Sequence, residues 1–443
     1  MSHSLADPAT RGQIGTLSTA LRLGALFGPS VFGVTAAGVA LPEVAAALRS
    51  GPAAVAWVIT AHALALGVGT AVFGRIADTR GIRTALLAGA AVLGAGAFVC
   101  VVAPGLGALV AGRLVLATGS GAMAAAGVAL LAGVEPERRP RVLAGYGMVM
   151  ATFAAGATLV GGVVTTWLSW RVTLVLPVLS LPAVPACLPL VRRAGSRGPL
   201  DVTGAALLTV TVSTLLVLIQ GRSLRLEAPV VAALAVVAVA TAGALAWWTR
   251  GRPEGFLPHT VIASGAFWVA VAIGVGVFGG LFATMYAVPQ LLTGAHGWSV
   301  LAVGAALLPG AAVGALLSRR AGLLDAGKAR GLLVGTALAA GVALAAAAVT
   351  GAAGGWLLVA AASLSLAAFA VTQVVLTGEM SARLAPQARG MGMGLLNLAF
   401  FVGGAAGSAL TGALSGPLGL VRTLAVVAVF PLAAATVAFT TRR

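Results

Sequence analysis

The stretch GALVAGRLVLATGSGAM, residues 107–123, carries one charged side chain, Arg113, and that is the only charge between Arg83 and Glu135. A membrane-spanning helix needs about 20 mostly apolar residues at a rise of about 1.5 Å each. Residues 84–134 are therefore long enough for two spans, turning at Ala103-Pro104-Gly105, and Arg113 lies about two turns into the second. A guanidinium at such depth costs about 2.5–3.5 kcal/mol unless it faces a wet cavity or a partner. The residue is read as functional, with snorkelling to the membrane surface as the plain alternative.

The same character runs through the whole chain. Of 443 residues, 60% are hydrophobic and 8% charged, with a mean hydropathy of +1.06. A water-soluble protein needs about a quarter of its residues charged, so this composition excludes one. The apolar runs are continuous rather than alternating, which excludes a transmembrane barrel and leaves an all-α integral membrane protein. The 61 glycines suit helices packed backbone to backbone. The net charge of +17 lies in short loops between spans, so it reads as membrane topology and not as a nucleic-acid surface. Cys100 and Cys187 sit inside apolar runs without metal-ligand spacing, so neither a metal nor a cofactor is expected.

Charges and turn residues divide the chain into fourteen spans, with residues 1–19 as a polar tail. The expected parts are a six-helix bundle over 20–192, a linker with two inserted helices over 193–252, a second six-helix bundle over 253–440, and a short end at 441–443. Placing both termini in the cytoplasm puts 21 of the 27 Lys and Arg residues on that side. Trp57, Trp167, Trp170, Trp298 and Trp356 then fall near the outer ends of spans, as an aromatic belt requires.

The loop GRIADTRGIR (74–83) has a counterpart, AGLLDAGKAR (321–330). In each, an Asp is followed five positions later by Arg, at Asp78 and Arg83 and at Asp325 and Arg330, and the two Asp residues are 247 positions apart. That is the spacing of two homologous bundles flanking an inserted pair. Gly74, Asp78, Gly81 and Arg83 resemble the loop signature G-x-x-x-D-[RK]-x-G-[RK]-[RK] of the major facilitator superfamily, with departures at Thr79 and Ile82. Val39-Ala40-Leu41-Pro42, Trp57-Val58-Ile59-Thr60-Ala61, Leu168-Ser169-Trp170-Arg171, Asp201-Val202-Thr203-Gly204, Val288-Pro289-Gln290 and Leu307-Leu308-Pro309 are similar to motifs of its fourteen-helix drug:proton antiporters.

The resemblance implies a major facilitator fold and assigns roles by position. The loop residues Gly74, Asp78, Gly81, Arg83, Asp325 and Arg330 would form a conformational latch. Arg113 and Gly119 match the signature R-x-x-Q-G-x-G, whose arginine is implicated in proton coupling, while Leu116 and Ala117 depart from it. Gly161 and Gly162 keep the end of the antiporter signature of helix 5, whose Gly-Pro pair is replaced by Ala157-Thr158. The family's helix 1 acid falls on Gly33, and His62 stands where a Tyr is common.

None of the ten acids lies at mid-membrane, so Arg113 has no evident carboxylate partner. Glu43 and His62 are the remaining candidates for proton coupling, His62 because imidazole titrates near neutral pH. The other reading of His62 is a hydrogen-bonding substitute for Tyr. Tyr146, Phe153, Phe282, Tyr286, Gln290, Gln373 and Asn397 are candidates for lining the substrate path, together with Gln220, Phe278 and Met285. The polar members could equally be helix–helix hydrogen bonds of about 0.6 kcal/mol.

The expectation is a monomeric exporter of drug-like or antibiotic molecules in a bacterial plasma membrane, working in the lipid bilayer by proton antiport. The alternative is a facilitator or metabolite transporter of the same fold. A membrane-embedded enzyme would need clustered carboxylates or histidines, and a sensor or scaffold would need a soluble domain; neither is present in the sequence.

Overall fold

The computed structural model describes residues 8–135, 137–191, 201–219, 221, 226–252, 255–257, 259–352, 354–384 and 389–441. The expected boundary at 192–193, Gln220, Glu254 and Arg442–Arg443 lie outside them. Among the described residues all regular structure is helical. Thirteen helical stretches are long and apolar enough to cross a membrane, and the last of them, Gly392–Thr440, is two spans in one. Its helix, Arg389–Thr440, breaks at Gly419, where φ is +76°, a conformation that costs glycine little. The turn expected at Gly416–Gly419 is this break, and the spans number fourteen.

We label them in chain order. α1 comprises Pro8–Phe27, a 3₁₀ stretch Gly28–Gly33 and Thr35–Ala47. α2 is Pro52–Arg80, α3 Ile82–Val102, α4 Leu106–Ala132 and α5 Arg139–Trp167. α6 spans Trp170–Leu190, and the inserted pair is α7, Val202–Ile219, and α8, Ala228–Arg250. α9 is Gly265–Gly294, α10 Val300–Ala321, α11 Ala326–Val349 and α12 Gly355–Arg383. α13 and α14 are residues 389–418 and 420–440. Helix begins at Pro8, within the stretch 1–19 read from sequence as tail.

Two spans are not continuous helices. α6 is a chain of short pieces, Trp170–Val175, Leu176–Ser180, Ala183–Cys187 and Leu188–Leu190. Pro177, Pro182, Pro185 and Pro189 each remove a backbone N–H, which breaks the ladder. α1 changes to 3₁₀ at Gly28-Pro29. The broken parts of α1 and α6 pack on one another, and backbone freed at membrane depth is tolerated only where protein covers it.

Within the first half, glycines let α4 sit between two neighbours. A methyl on Gly121 would lie 2.5 Å from the Thr70 amide of α2, and one on Gly119 would strike Leu93 of α3. Three seams join the halves. α1 meets α9 at Gly38 and Met285, α2 meets α13 at Ala56 and Gly412, and α5 meets α10 at Gly162 and Val300. These three contacts lie toward the end of the bundle remote from the chain termini, and the α2–α13 seam continues past Gly67 against Phe401 to Gly394 against Ala71. α7 packs on α8, with Thr211 and Thr241 hydroxyls 2.9 Å apart, and rests against α2 and the α13–α14 unit.

Candidate functional site

The first question the sequence raises is what balances Arg113. α4 carries the side chain inward, where it is fully buried and does not reach the membrane surface. Its Nη1 donates to the Leu174 carbonyl of α6 at 2.8 Å, Nε to the Val58 carbonyl of α2 at 3.3 Å, and Nη2 to the Gly33 carbonyl of α1. Two of these acceptors lie where a helix breaks. Gly33 closes the 3₁₀ stretch of α1, and Leu174 precedes Pro177, which has no N–H to offer it. Hydrogen bonds to a charged group contribute about 1.5–3 kcal/mol each, so three together offset the cost of the buried charge. Backbone dipoles of three helices stand in place of a counter-ion.

His62 lies one helical turn beyond Val58, on the same face of α2. It is fully buried, and neither Nδ1 nor Nε2 has a hydrogen-bond partner. A methyl placed on Gly33 would collide with His62 Nε2. Gly33, His62 and Arg113, three positions at which the chain departs from or matches the family pattern, thus meet at one point. Glu43 does not join them: it is exposed, ten residues or roughly 15 Å along α1 from Gly33.

The path candidates divide between the halves. Phe153 of α5 meets Phe32 edge-on, ring centroids 5.6 Å apart, and covers Gly28. Phe282 belongs to an aromatic cluster with Phe278, Phe369, Phe400 and Phe401, in which Phe278 lies 4.6 Å from Phe369 and 4.8 Å from Phe400. Phe401 also packs on Leu66 and Ala117, so the cluster reaches the first half. Tyr286 is buried, its carbonyl accepts from Gln290 at 2.8 Å, and Gln373 donates to Asn397 at 3.3 Å. Tyr146 is half-buried on the terminal half of α5. Phe369, Phe400 and Phe401 escaped sequence reasoning because Phe in an apolar span carries no signal of its own. The hydroxyls of Thr60 and Ser408, 2.8 Å apart and buried, tie α2 to α13, although Thr60 stands in a quoted motif.

The paired loops differ despite their sequence symmetry. Asp78 and Arg83 are exposed, Gly81 has φ +94°, and Gly74 faces Ala125 with ordinary room, 3.9 Å for an added methyl. In the second loop Asp325 pairs with Lys328 at 3.1 Å on the surface. Arg330 is buried and donates to Glu379 at 2.8 Å, to Thr441 at 2.7 Å and to the Ala438 carbonyl at 3.3 Å, joining α11, α12 and the end of α14.

Asp201 explains the Asp-Val-Thr-Gly opening of α7. Its carboxylate accepts from the Gly204 amide at 2.9 Å, Trp248 Nε1 of α8 at 2.9 Å and the Phe256 amide at 2.7 Å. Arg252 stacks over Trp248 at 3.8 Å. Burial pushes this carboxyl upward, but the bonds from Phe256, Gly204 and Trp248, with the nearby Arg252, outweigh it and hold it below its ordinary value. One side chain fastens both inserted helices to the start of the second half.

The profile of the Major Facilitator Superfamily matches residues 23–408. The chain is 32% identical to a puromycin resistance protein of Streptomyces alboniger over 70% of this chain and 63% of that one. It is 34% identical to a cephamycin export protein of Amycolatopsis lactamdurans over 42% of this chain and 40% of that one, and 33% identical to a lincomycin resistance protein of Streptomyces lincolnensis over 40% and 37%. The chain thus spans less than two thirds of the length of these relatives. With the profile covering most of its fourteen-span, two-bundle fold, the chain belongs to the Major Facilitator Superfamily of membrane transporters.

Proposed function

We propose that this transporter exports amphipathic, drug-like or antibiotic molecules from the bacterial cytoplasm across the plasma membrane, driven by proton entry. Relatives that confer resistance to puromycin and lincomycin or export cephamycin support export of such compounds. An aromatic cluster reaching the seam between the halves suits lipophilic rings better than sugars or phosphates. The halves would rock against one another, and contacts at Gly38, Gly162 and Gly412 fit a state shut at the end remote from the termini. Both termini are assigned to the cytoplasm by the distribution of Lys and Arg.

The observation that carries proton coupling is the fully buried Arg113, held by three helices beside an unpartnered imidazole. A permanent charge seated among helices that move in the cycle is the kind of group whose surroundings a proton can change. The second reading, a facilitator without proton coupling, is favoured by Gly33 where an acid is usual and by the satisfied guanidinium. Cells expressing the chain and given labelled puromycin separate the two. An exporter holds internal drug below the external level until a protonophore is added; a facilitator brings both sides to equality with or without it.

A further inference from the structure

We infer that His62 is the group that carries the exchanged proton, that the bare Cα of Gly33 is what gives its ring room, and that Arg113 and the His62 proton exclude one another. The inference rests on the reading of the chain as a proton-coupled exporter and names the residue and device behind it.

The acids leave the field open. Glu43, Asp78, Glu135, Glu137, Glu227 and Asp325 are exposed, Glu379 is paired with Arg330, and Asp201 is held at the membrane surface by three donors. Among the described residues, His62 is then the one buried imidazole or carboxyl without a hydrogen-bond partner. Its position is built by subtraction. A side chain at residue 33 and a ring at residue 62 compete for one space, because even a methyl on Gly33 would overlap Nε2. Glycine at 33 and histidine at 62 are therefore a matched pair, and a titratable group can enter this space from either helix.

Arg113 sets the rule for when the ring is charged. It hydrogen-bonds the carbonyl of Gly33, beside the ring, and that of Val58, one turn before His62 on the same helix. Among the described charged side chains on the helices packed around α2, Arg113 is the fully buried one, whereas Arg22, Glu43 and Arg83 reach the surface, and Cys100 of α3 is a buried thiol. A second positive charge beside a buried guanidinium has no counter-ion to balance it. The ring is neutral while Arg113 is seated on Gly33, Val58 and Leu174. The seat is made from α1, α2 and α6, so a rearrangement of these helices that unseats Arg113 is what lets His62 take a proton. The proton is bound in the unseated state and expelled when the three carbonyls close on the guanidinium again.

The test uses the full chain reconstituted in liposomes with labelled puromycin as probe, following uptake driven by a pH gradient and puromycin exchange at equal pH. Wild-type exchange without any response to the gradient would refute the proton-coupled reading itself, before any variant is made. With wild-type coupling in hand, His62→Gln is expected to lose driven uptake at least tenfold more than it loses exchange. Equal losses, or driven uptake within twofold of wild type, would overturn the assignment. A second comparison stands even if the glutamine variant folds poorly. His62→Ala combined with Gly33→Asp, which places a carboxyl in the vacated space, is expected to regain at least fivefold in driven uptake over His62→Ala alone. No gain, with both proteins folded by thermal melting, would refute the shared space.

Discussion

Gly161 and Gly162 are adjacent on α5 and face different partners, so the same added methyl should have two different effects. On Gly161 it would lie 2.7 Å from Ala36 Cα, inside the first half. On Gly162 it would lie 3.1 Å from the Val300 carbonyl oxygen and 3.2 Å from Leu301 Cα, across the seam to the second half. Both obstacles are backbone, which cannot rotate aside, and overpacking of this kind costs about 1–3 kcal/mol. The α1–α5 contact lies within one bundle, so Gly161→Ala taxes every state and lowers thermal stability. On the proposed rocking of the halves, the α5–α10 contact parts when the remote end opens, so Gly162→Ala weighs on one state. At about 1.4–2 kcal/mol the ratio of open to shut shifts roughly ten- to thirty-fold. Spin labels at Thr166→Cys and Ser299→Cys, exposed on either side of this seam, read that ratio as a distance distribution once the buried Cys100 and Cys187 are replaced by Ala. The longer distance should dominate in Gly162→Ala and stay at its wild-type weight in Gly161→Ala. Identical distributions for the two variants would refute the division of labour between these glycines.

Breaking the buried pair with Arg330→Ala strands the Glu379 carboxylate and should cost about 3–5 kcal/mol in a detergent melt, whereas Lys328→Ala, at the exposed pair with Asp325, should leave the melt unchanged. Asp201→Asn keeps the shape but loses the charge that three donors converge on, and a loss of about 2–3 kcal/mol with a changed Trp248 emission is expected. Because this carboxyl is held below its ordinary value, its contribution is present at neutral pH and disappears as pH falls through that lowered value; stability of wild type but not Asp201→Asn should show that step. Thr60→Val removes a seam hydrogen bond of about 0.6 kcal/mol and should raise the open fraction about threefold in the same distance measurement.

Much of the architecture was legible because the membrane imposes it. Arg113 apart, charges and turn residues gather outside the hydrocarbon, so they marked the span ends, including the break at Gly419, beside Arg422 and inside one long helical stretch. The broken α6 was equally open to reading, since four prolines within thirteen residues cannot make one helix, yet hydropathy alone counts it as a normal span. Arg113 announced itself by its charge, but its partners could not, because any residue can offer a main-chain carbonyl. Gly33 and His62 each stood out as a departure from the family pattern. Their meeting is a tertiary fact between residues 29 apart in sequence on neighbouring helices. The two Asp/Arg loops look alike in sequence and differ in space, because, of their arginines, Arg330 is the one that is buried against an acid, the half-buried Glu379, and that acid lies on α12 rather than in the loop.

The central claim is that drug movement is exchanged for protons through the site around Arg113. Inverted membrane vesicles containing the chain, acidified inside and loaded with a pH-quenched dye, test it directly on addition of puromycin. Drug-dependent loss of lumenal acidity in wild type, absent in Arg113→Ala, is the expected result. Labelled puromycin crossing down its own gradient with no pH response in wild type would contradict the claim and leave Arg113 a structural residue of a facilitator.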